Sequence, residues 1–103
     1  MRRVMVQYKV KPNRAGENEQ LIEKVFEALE REQTAGVRYR VAKLADGATY
    51  IHVASIDTSD GSNALTALPE FKEYVAGIKE RCDEQPMTTE WTEVGVYDSL
   101  VRA

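Results

Sequence analysis

GVRYRVAKLADGATYIHVASID, residues 36–57, decides the fold. Val37, Tyr39 and Val41 alternate with Arg38 and Arg40, the period of two that a half-buried strand needs. Asp46-Gly47 follows, the usual dipeptide of a two-residue hairpin turn, in which both central positions take positive φ. TYIHVASI then predicts a second strand, antiparallel to the first, with the pair expected over 37–44 and 49–57.

Working outward, VMVQYKV (residues 4–10) puts Val4, Val6, Tyr8 and Val10 on one side and Met5, Gln7 and Lys9 on the other, which predicts another strand. Pro12 and Asn13 end that alternation. Leu21, Ile22, Val25, Phe26 and Leu29 then recur at helical spacing with glutamates outward, predicting an amphipathic helix that ends before Gly36. DTSDGSN (57–63) has loop composition, ALTAL (64–68) suits a short helical turn, and Pro69 suits a first helical position. Phe71, Tyr74, Val75, Ile78 and Cys82 form the stripe of a second helix, and TTEWTEVGVY after Pro86 predicts a last strand over 87–97. The order β-α-β-β-α-β is that of an α+β, ferredoxin-like fold: a four-stranded antiparallel sheet with both helices on one face. The opposite face, carrying Ile51 and Val53, lacks an intrachain cover. A second copy of the chain is the simplest cover, so a homodimer is expected.

Composition excludes several classes. A chain of 103 residues is sized for one domain over 1–103. Its net charge of -3, with lysines and arginines dispersed among acids, lacks the footprint that a nucleic acid selects. The opening MRRVMVQYKV alternates at once, and no stretch of about 20 apolar residues occurs, so no membrane segment and a soluble, cytoplasmic protein are expected. Cys82 is the single cysteine and His52 the single histidine, too few for a Cys/His metal centre, and Cys82 reads as buried rather than reactive. There is no nucleotide-binding glycine motif, serine elbow or calcium loop, so no cofactor is expected.

Three stretches carry a resemblance: KVKPNRAGENEQLIEKVF after the first strand, the hairpin quoted above, and LPEFKEYVAGI opening the second helix. Together they resemble the antibiotic biosynthesis monooxygenase-like proteins, dimeric α+β barrels. The resemblance implies a homodimer with two facing sheets and a cleft in each subunit between sheet and helices. Some members are cofactor-independent oxygenases of polyphenols or quinols, some cleave haem, and many have no known activity. Haem-degrading relatives carry an asparagine in the first strand, a tryptophan late in the third and a histidine in the second helix. The matching positions here are Val6, Ile56 and Val75, which cannot ligate iron, so haem degradation is not expected. The oxygenases' asparagine and tryptophan pair is absent too, the only tryptophan being Trp91 in the last predicted strand.

The candidate site gathers around His52. It shares a strand face with Tyr50, Ala54 and Ile56, and the family matching turns this face toward the cleft. Tyr8, Tyr50, Phe71 and Tyr74 are expected to line that cleft with His52, which would suit a flat, partly polar aromatic or quinol-like ligand. Two readings of His52 stay open: a general base that takes a phenolic proton, or a core histidine bonded to a tyrosine hydroxyl or a carbonyl. Tyr39 is core-facing by the same alternation. Arg38 and Arg40, on the other face, are expected to pair with Glu90 or Glu93. For the whole chain the readings are a ligand-binding dimer with oxygenase or isomerase chemistry, or a non-catalytic accessory or regulatory dimer. An open cleft under the second helix would favour the first, and a packed one the second.

Overall fold

The structure is a computed structural model and describes residues 1–100. Its elements run β1 (Arg2–Val10), a 3₁₀ turn (Pro12–Arg14), α1 (Ala15–Glu32), β2 (Val37–Lys43), β3 (Thr49–Ile56), α2 (Pro69–Ala76), α3 (Ile78–Arg81) and β4 (Cys82–Glu90). The sheet is antiparallel, in the order β2-β3-β1-β4, and the helices cover one of its faces. This is the ferredoxin-like arrangement expected from the sequence.

Register sets which side chains meet. β1 pairs with β3 so that Val6 lies opposite His52 and Tyr8 opposite Tyr50, while β2 pairs with β3 so that Val41 lies opposite His52 and Tyr39 opposite Ala54. Directly opposed residues share a face. Tyr8, Tyr39, Tyr50 and His52 therefore all turn toward the helices, and Met5, Ile51 and Val53 turn away from them. The core lies between sheet and helices, built from Tyr8, Val10, Val25, Tyr50, Tyr74 and Ile78 among others.

Two close backbone approaches explain local choices. α1 ends with Gln33 in the left-handed region, where Thr34 N–H reaches Leu29 O at 3.2 Å and Gln33 N–H reaches Glu30 O at 3.3 Å, the paired bonds of a Schellman cap. Gly36 has φ of 77°, and a Cβ there would stand 2.7 Å from Asp57 O, the neighbour whose N–H bonds Gly36 O.

The hairpin forms where expected, but its turn differs. Only Gly47 has positive φ, and the loop closes with Gly47 N–H on Leu44 O and Leu44 N–H on Thr49 O. The Asp46 carboxylate replaces the second left-handed residue as the organiser, accepting from Ala48 N–H, Thr49 N–H and the Thr49 hydroxyl. Those bonds hold its pKa down at about 2.

The last strand and second helix also depart from expectation. The helix breaks at Gly77, Ile78–Arg81 make one further turn, and Cys82 is the first residue of β4 rather than part of the stripe. β4 thus begins ahead of Pro86 and ends at Glu90, not at 97, leaving Trp91 just beyond it. Pro86 does not start the strand because β4 is an edge strand with an irregularity: Gln7 faces Met87 but Lys9 faces Glu84. A proline's missing N–H is tolerated at such a bulge. Residues 91–98 have no regular structure, and Val94 and Tyr97 are exposed. Residues 101–103 lie outside the described residues.

Candidate functional site

A cleft of about 300 Å³ opens between the sheet and α2. Val6, Ile56, Phe71 and Val75 give it apolar walls, while Tyr39, His52 and Tyr74 give it polar groups. Its position follows from the fold. β1 and β3 supply the floor by strand parity, and α2 hangs Phe71, Tyr74 and Val75 over it from consecutive turns.

His52 is 5% exposed and hydrogen-bonded on both ring nitrogens. Nδ1 lies 2.6 Å from the Tyr39 hydroxyl, and Nε2 lies 2.7 Å from the Tyr8 hydroxyl and 3.2 Å from that of Tyr74. Tyr74 donates to Tyr8 at 2.8 Å. Behind them Asn18, fully buried, gives an amide N–H to the Tyr8 oxygen at 3.0 Å and takes Arg81 Nε–H on its Oδ1 at 3.2 Å. Arginine can only donate, so this contact settles which end of the Asn18 amide faces which partner. Arg81 is itself buried, held by the Tyr74 carbonyl at 2.6 Å and lying over the Tyr74 ring.

Burial decides the charge state of this cluster. Desolvation pushes the His52 pKa down to about 4, so the imidazole is neutral at pH 7. Tyr8, Tyr39 and Tyr74 are pushed up, also chiefly by burial, and stay phenols. In this state neither ring nitrogen is free for a ligand, and protons reach or leave the ring through tyrosine hydroxyls.

The expected site residues separate into two groups. His52, Phe71 and Tyr74 line the cleft. Tyr8 and Tyr50 do not. Tyr8 lies behind His52, where its hydroxyl is enclosed by Asn18, Tyr74 and the imidazole. Tyr50 stacks on Tyr8 at 5.6 Å but sends its hydroxyl the other way, to Glu19 at 2.6 Å, where Lys43 completes a surface cluster. Tyr39 takes the place expected of Tyr8 as a lining hydroxyl.

Asn18 and Arg81 carry no motif that a sequence reading could seize on. Their one signal is spacing: Asn18 continues the stripe of Ile22 and Val25 back by one turn, and Arg81 follows Tyr74 and Ile78. A polar residue on an apolar stripe is the mark of a buried network. Arg38 and Arg40 have no ion pair among the described residues, because Glu90 meets Arg2 at 3.9 Å and Glu93 meets Arg3 at 3.8 Å. Among those residues, too, no three of His, Cys, Asp or Glu converge as metal ligands, and no helix is long and apolar enough to cross a membrane.

No family model matches the sequence, nor does any curated protein. Solved structures do match. A protein of Nitrosomonas europaea, provisionally described as an antibiotic biosynthesis monooxygenase, superposes with a TM-score of 0.75 at 14% identity, covering 92% of this chain and 100% of the other. The fold is that of the antibiotic biosynthesis monooxygenase structures. A second such protein, from Bacteroides thetaiotaomicron, gives a TM-score of 0.73 at 16% identity over 99% of this chain and 95% of its own. SnoaB of Streptomyces nogalater, described as a cofactor-independent oxygenase, gives 0.67 at 14% identity over 92% and 94%. Within this monooxygenase-type fold, Val6, Ile56 and Val75, the positions matched to the polar residues of haem-degrading relatives, all line the cleft. They form part of its apolar wall.

Proposed function

We propose that residues 1–103 act as one unit, a homodimer that takes a flat aromatic or quinol-like small molecule into the cleft of each subunit. The observation that carries this reading is the cleft itself: apolar walls of Val6, Ile56, Phe71 and Val75, with the hydroxyl-bearing Tyr39 and Tyr74 flanking one imidazole. Apolar walls favour a ring system by removing its surface from water, and phenolic hydroxyls select oxygen substituents on that ring. The likeness in fold to a cofactor-independent oxygenase supports oxidation of a hydroquinone-like compound as the activity to test.

Dimerisation is supported by the helix-free face. Met87 is 72% exposed there, and Met5, Ile51 and Val53 are only partly buried, an apolar strip that a second copy would cover.

His52 acts in this proposal through its tyrosines. Saturation of both ring nitrogens also favours a second reading, a binding or accessory dimer without turnover. Thermal-shift titration with a panel of hydroquinones and naphthols tests binding, and oxygen uptake on the same panel tests chemistry. Stabilisation with uptake supports the oxygenase, stabilisation alone leaves the binding protein, and neither refutes the ligand reading.

A further inference from the structure

We infer that Tyr74, Tyr8, His52 and Tyr39 form an uncharged proton relay joining two points of the cleft wall, able to interconvert the tautomers of a conjugated hydroxy–oxo compound bound between them. This deepens the ligand-binding reading above and rests on it.

The inference follows from accounting for protons. The contacts to be served are Asn18 to Tyr8, Tyr8 to Tyr74, Tyr39 to His52 Nδ1, and the single bond that Nε2 has a site for, which goes to Tyr8 at 2.7 Å rather than to Tyr74 at 3.2 Å. The orientation of Asn18, imposed by Arg81, makes the Tyr8 oxygen an acceptor in the first of these. With the imidazole neutral, the available donors outnumber the contacts by one, so one phenolic proton is left over. Its place depends on the ring. When Nδ1 carries the proton it donates to Tyr39; Tyr74 donates to Tyr8, Tyr8 donates to Nε2, and the spare proton is that of Tyr39. When Nε2 carries the proton, Asn18 still donates to Tyr8 but the other three bonds reverse, and the spare proton is that of Tyr74. Both tyrosines line the cleft.

The two arrangements therefore present opposite faces to a ligand. In the first, Tyr39 offers a donor and the Tyr74 oxygen an acceptor; in the second they exchange roles. A ligand with a hydroxyl at Tyr74 and a conjugated carbonyl at Tyr39 closes the circuit. Its hydroxyl proton passes to Tyr74, that of Tyr74 to Tyr8, that of Tyr8 to Nε2, that of Nδ1 to Tyr39, and that of Tyr39 to the ligand carbonyl. Each hydroxyl oxygen of the relay gains one proton as it loses one, and the imidazole gains one at Nε2 as it loses one at Nδ1 and so ends as its other tautomer. No electron is transferred, and the ligand leaves as its own tautomer. The reverse passage on a next molecule, or exchange of the spare proton with water, restores the ring. No step makes an imidazolium or a phenolate, the species that burial disfavours here. The ligand class is set by span. Because the Tyr39 and Tyr74 hydroxyls stand beside opposite nitrogens of one ring, donor and acceptor must sit at far ends of a conjugated system, not on adjacent atoms.

The single histidine permits a direct test. Protein labelled with ¹⁵N-histidine gives one pair of ring-nitrogen signals, whose separation reports the tautomer. The probe is 4-phenylazo-1-naphthol, which holds its mobile proton on oxygen or on a distant nitrogen. Its O-methyl ether is the control, and binding of each is followed separately by thermal shift. With the naphthol bound at pH 7, the separation should fall to under half of its value with the ether, the mark of both tautomers in exchange, while the ring stays neutral. Tyr39→Phe should still bind but show no such collapse. If that variant does not fold, Tyr74→Phe breaks the other end with the same expectation. An imidazolium on binding, an unchanged separation in a protein that binds, or a collapse that survives both substitutions would overturn the relay and leave the binding reading standing. Failure of both probes to bind would overturn both.

Discussion

Acid should destabilise this protein through His52 before it does so through any carboxylate. Burial lowers the imidazole pKa from 6.5 to about 4. As pH falls through 6.5 the unfolded chain takes up a proton that the folded chain refuses, so stability is full above pH 6.5, declines as pH falls from there to about 4, and gains no further loss from this group below that. At 1.36 kcal/mol per unit, the drop assignable to His52 over this window is about 3 kcal/mol. Urea denaturation at half-unit steps from pH 7.5 to 4 measures it in wild type and in His52→Gln, which cannot titrate. Carboxylates with lowered pKa, including Glu17, Glu19, Asp46 and Glu70, titrate below most of the window and are common to both proteins. The variant will be less stable at pH 7, having lost two hydrogen bonds, but its curve should be flatter by about 3 kcal/mol across the window. Parallel curves between pH 6.5 and 4 would refute a neutral, desolvated His52.

Tyr8→Phe should cost about 1–3 kcal/mol in urea unfolding, since it strands the buried Asn18 amide, whereas Tyr50→Phe, whose hydroxyl meets the surface Glu19, should cost less. Gly36→Ala should destabilise more than Gly47→Ala: both have positive φ, but only at Gly36 does the new Cβ collide with a carbonyl, that of Asp57. Light scattering at micromolar concentration should give twice the 11.6 kDa chain mass, and a monomer would remove the proposed interface. Haemin titration should give no sharp Soret shift, because Val75 stands at the α2 position matched to the relatives' iron ligand and burial keeps Tyr74 beside it a protonated phenol; a histidine-ligated spectrum abolished by His52→Ala would contradict this.

Alternation and helical spacing carried the fold because they report which face is buried, and burial is what the sheet and its helices share. Strand parity put His52 and Tyr50 on one face and Tyr8 and Tyr39 at core-facing positions, and the family matching turned the His52 face toward the helices. It could not say which of them reach the cavity. That depends on distance along the strand: Tyr50 lies one pleat beyond His52, toward the end where α1 and Glu19 take its hydroxyl. The β4 boundaries were hidden because Pro86 reads as a strand start unless the bulge around it is known. Trp91, Val94 and Val96 read as strand by propensity, yet among the described residues no neighbouring strand is left for them beyond Arg3. Asn18 and Arg81 gave only the faint signal of their spacing for another reason: each residue type is ordinary on a helix surface, and tertiary packing is what buries them.

The identity of the residue that holds a histidine decides what the histidine can do. A carboxylate on Nδ1 would favour the imidazolium, raise the pKa toward or above neutrality and make the ring a charged base. Among the described residues no carboxylate hydrogen-bonds His52; a phenol holds each nitrogen instead. The nearby cation obeys the same logic. Arg81 is 1% exposed and has no ion pair among those residues, being satisfied by the Tyr74 carbonyl, the Asn18 amide oxygen and an aromatic face. A carboxylate added to neutralise it would sit beside Tyr74 and Tyr8 and compete for their protons. A buried guanidinium met only by neutral acceptors thus fixes Asn18 and, through it, Tyr8, while burial alone keeps the imidazole neutral. Chemistry in this cleft has to move protons without separating charge, and the tyrosines supply the route.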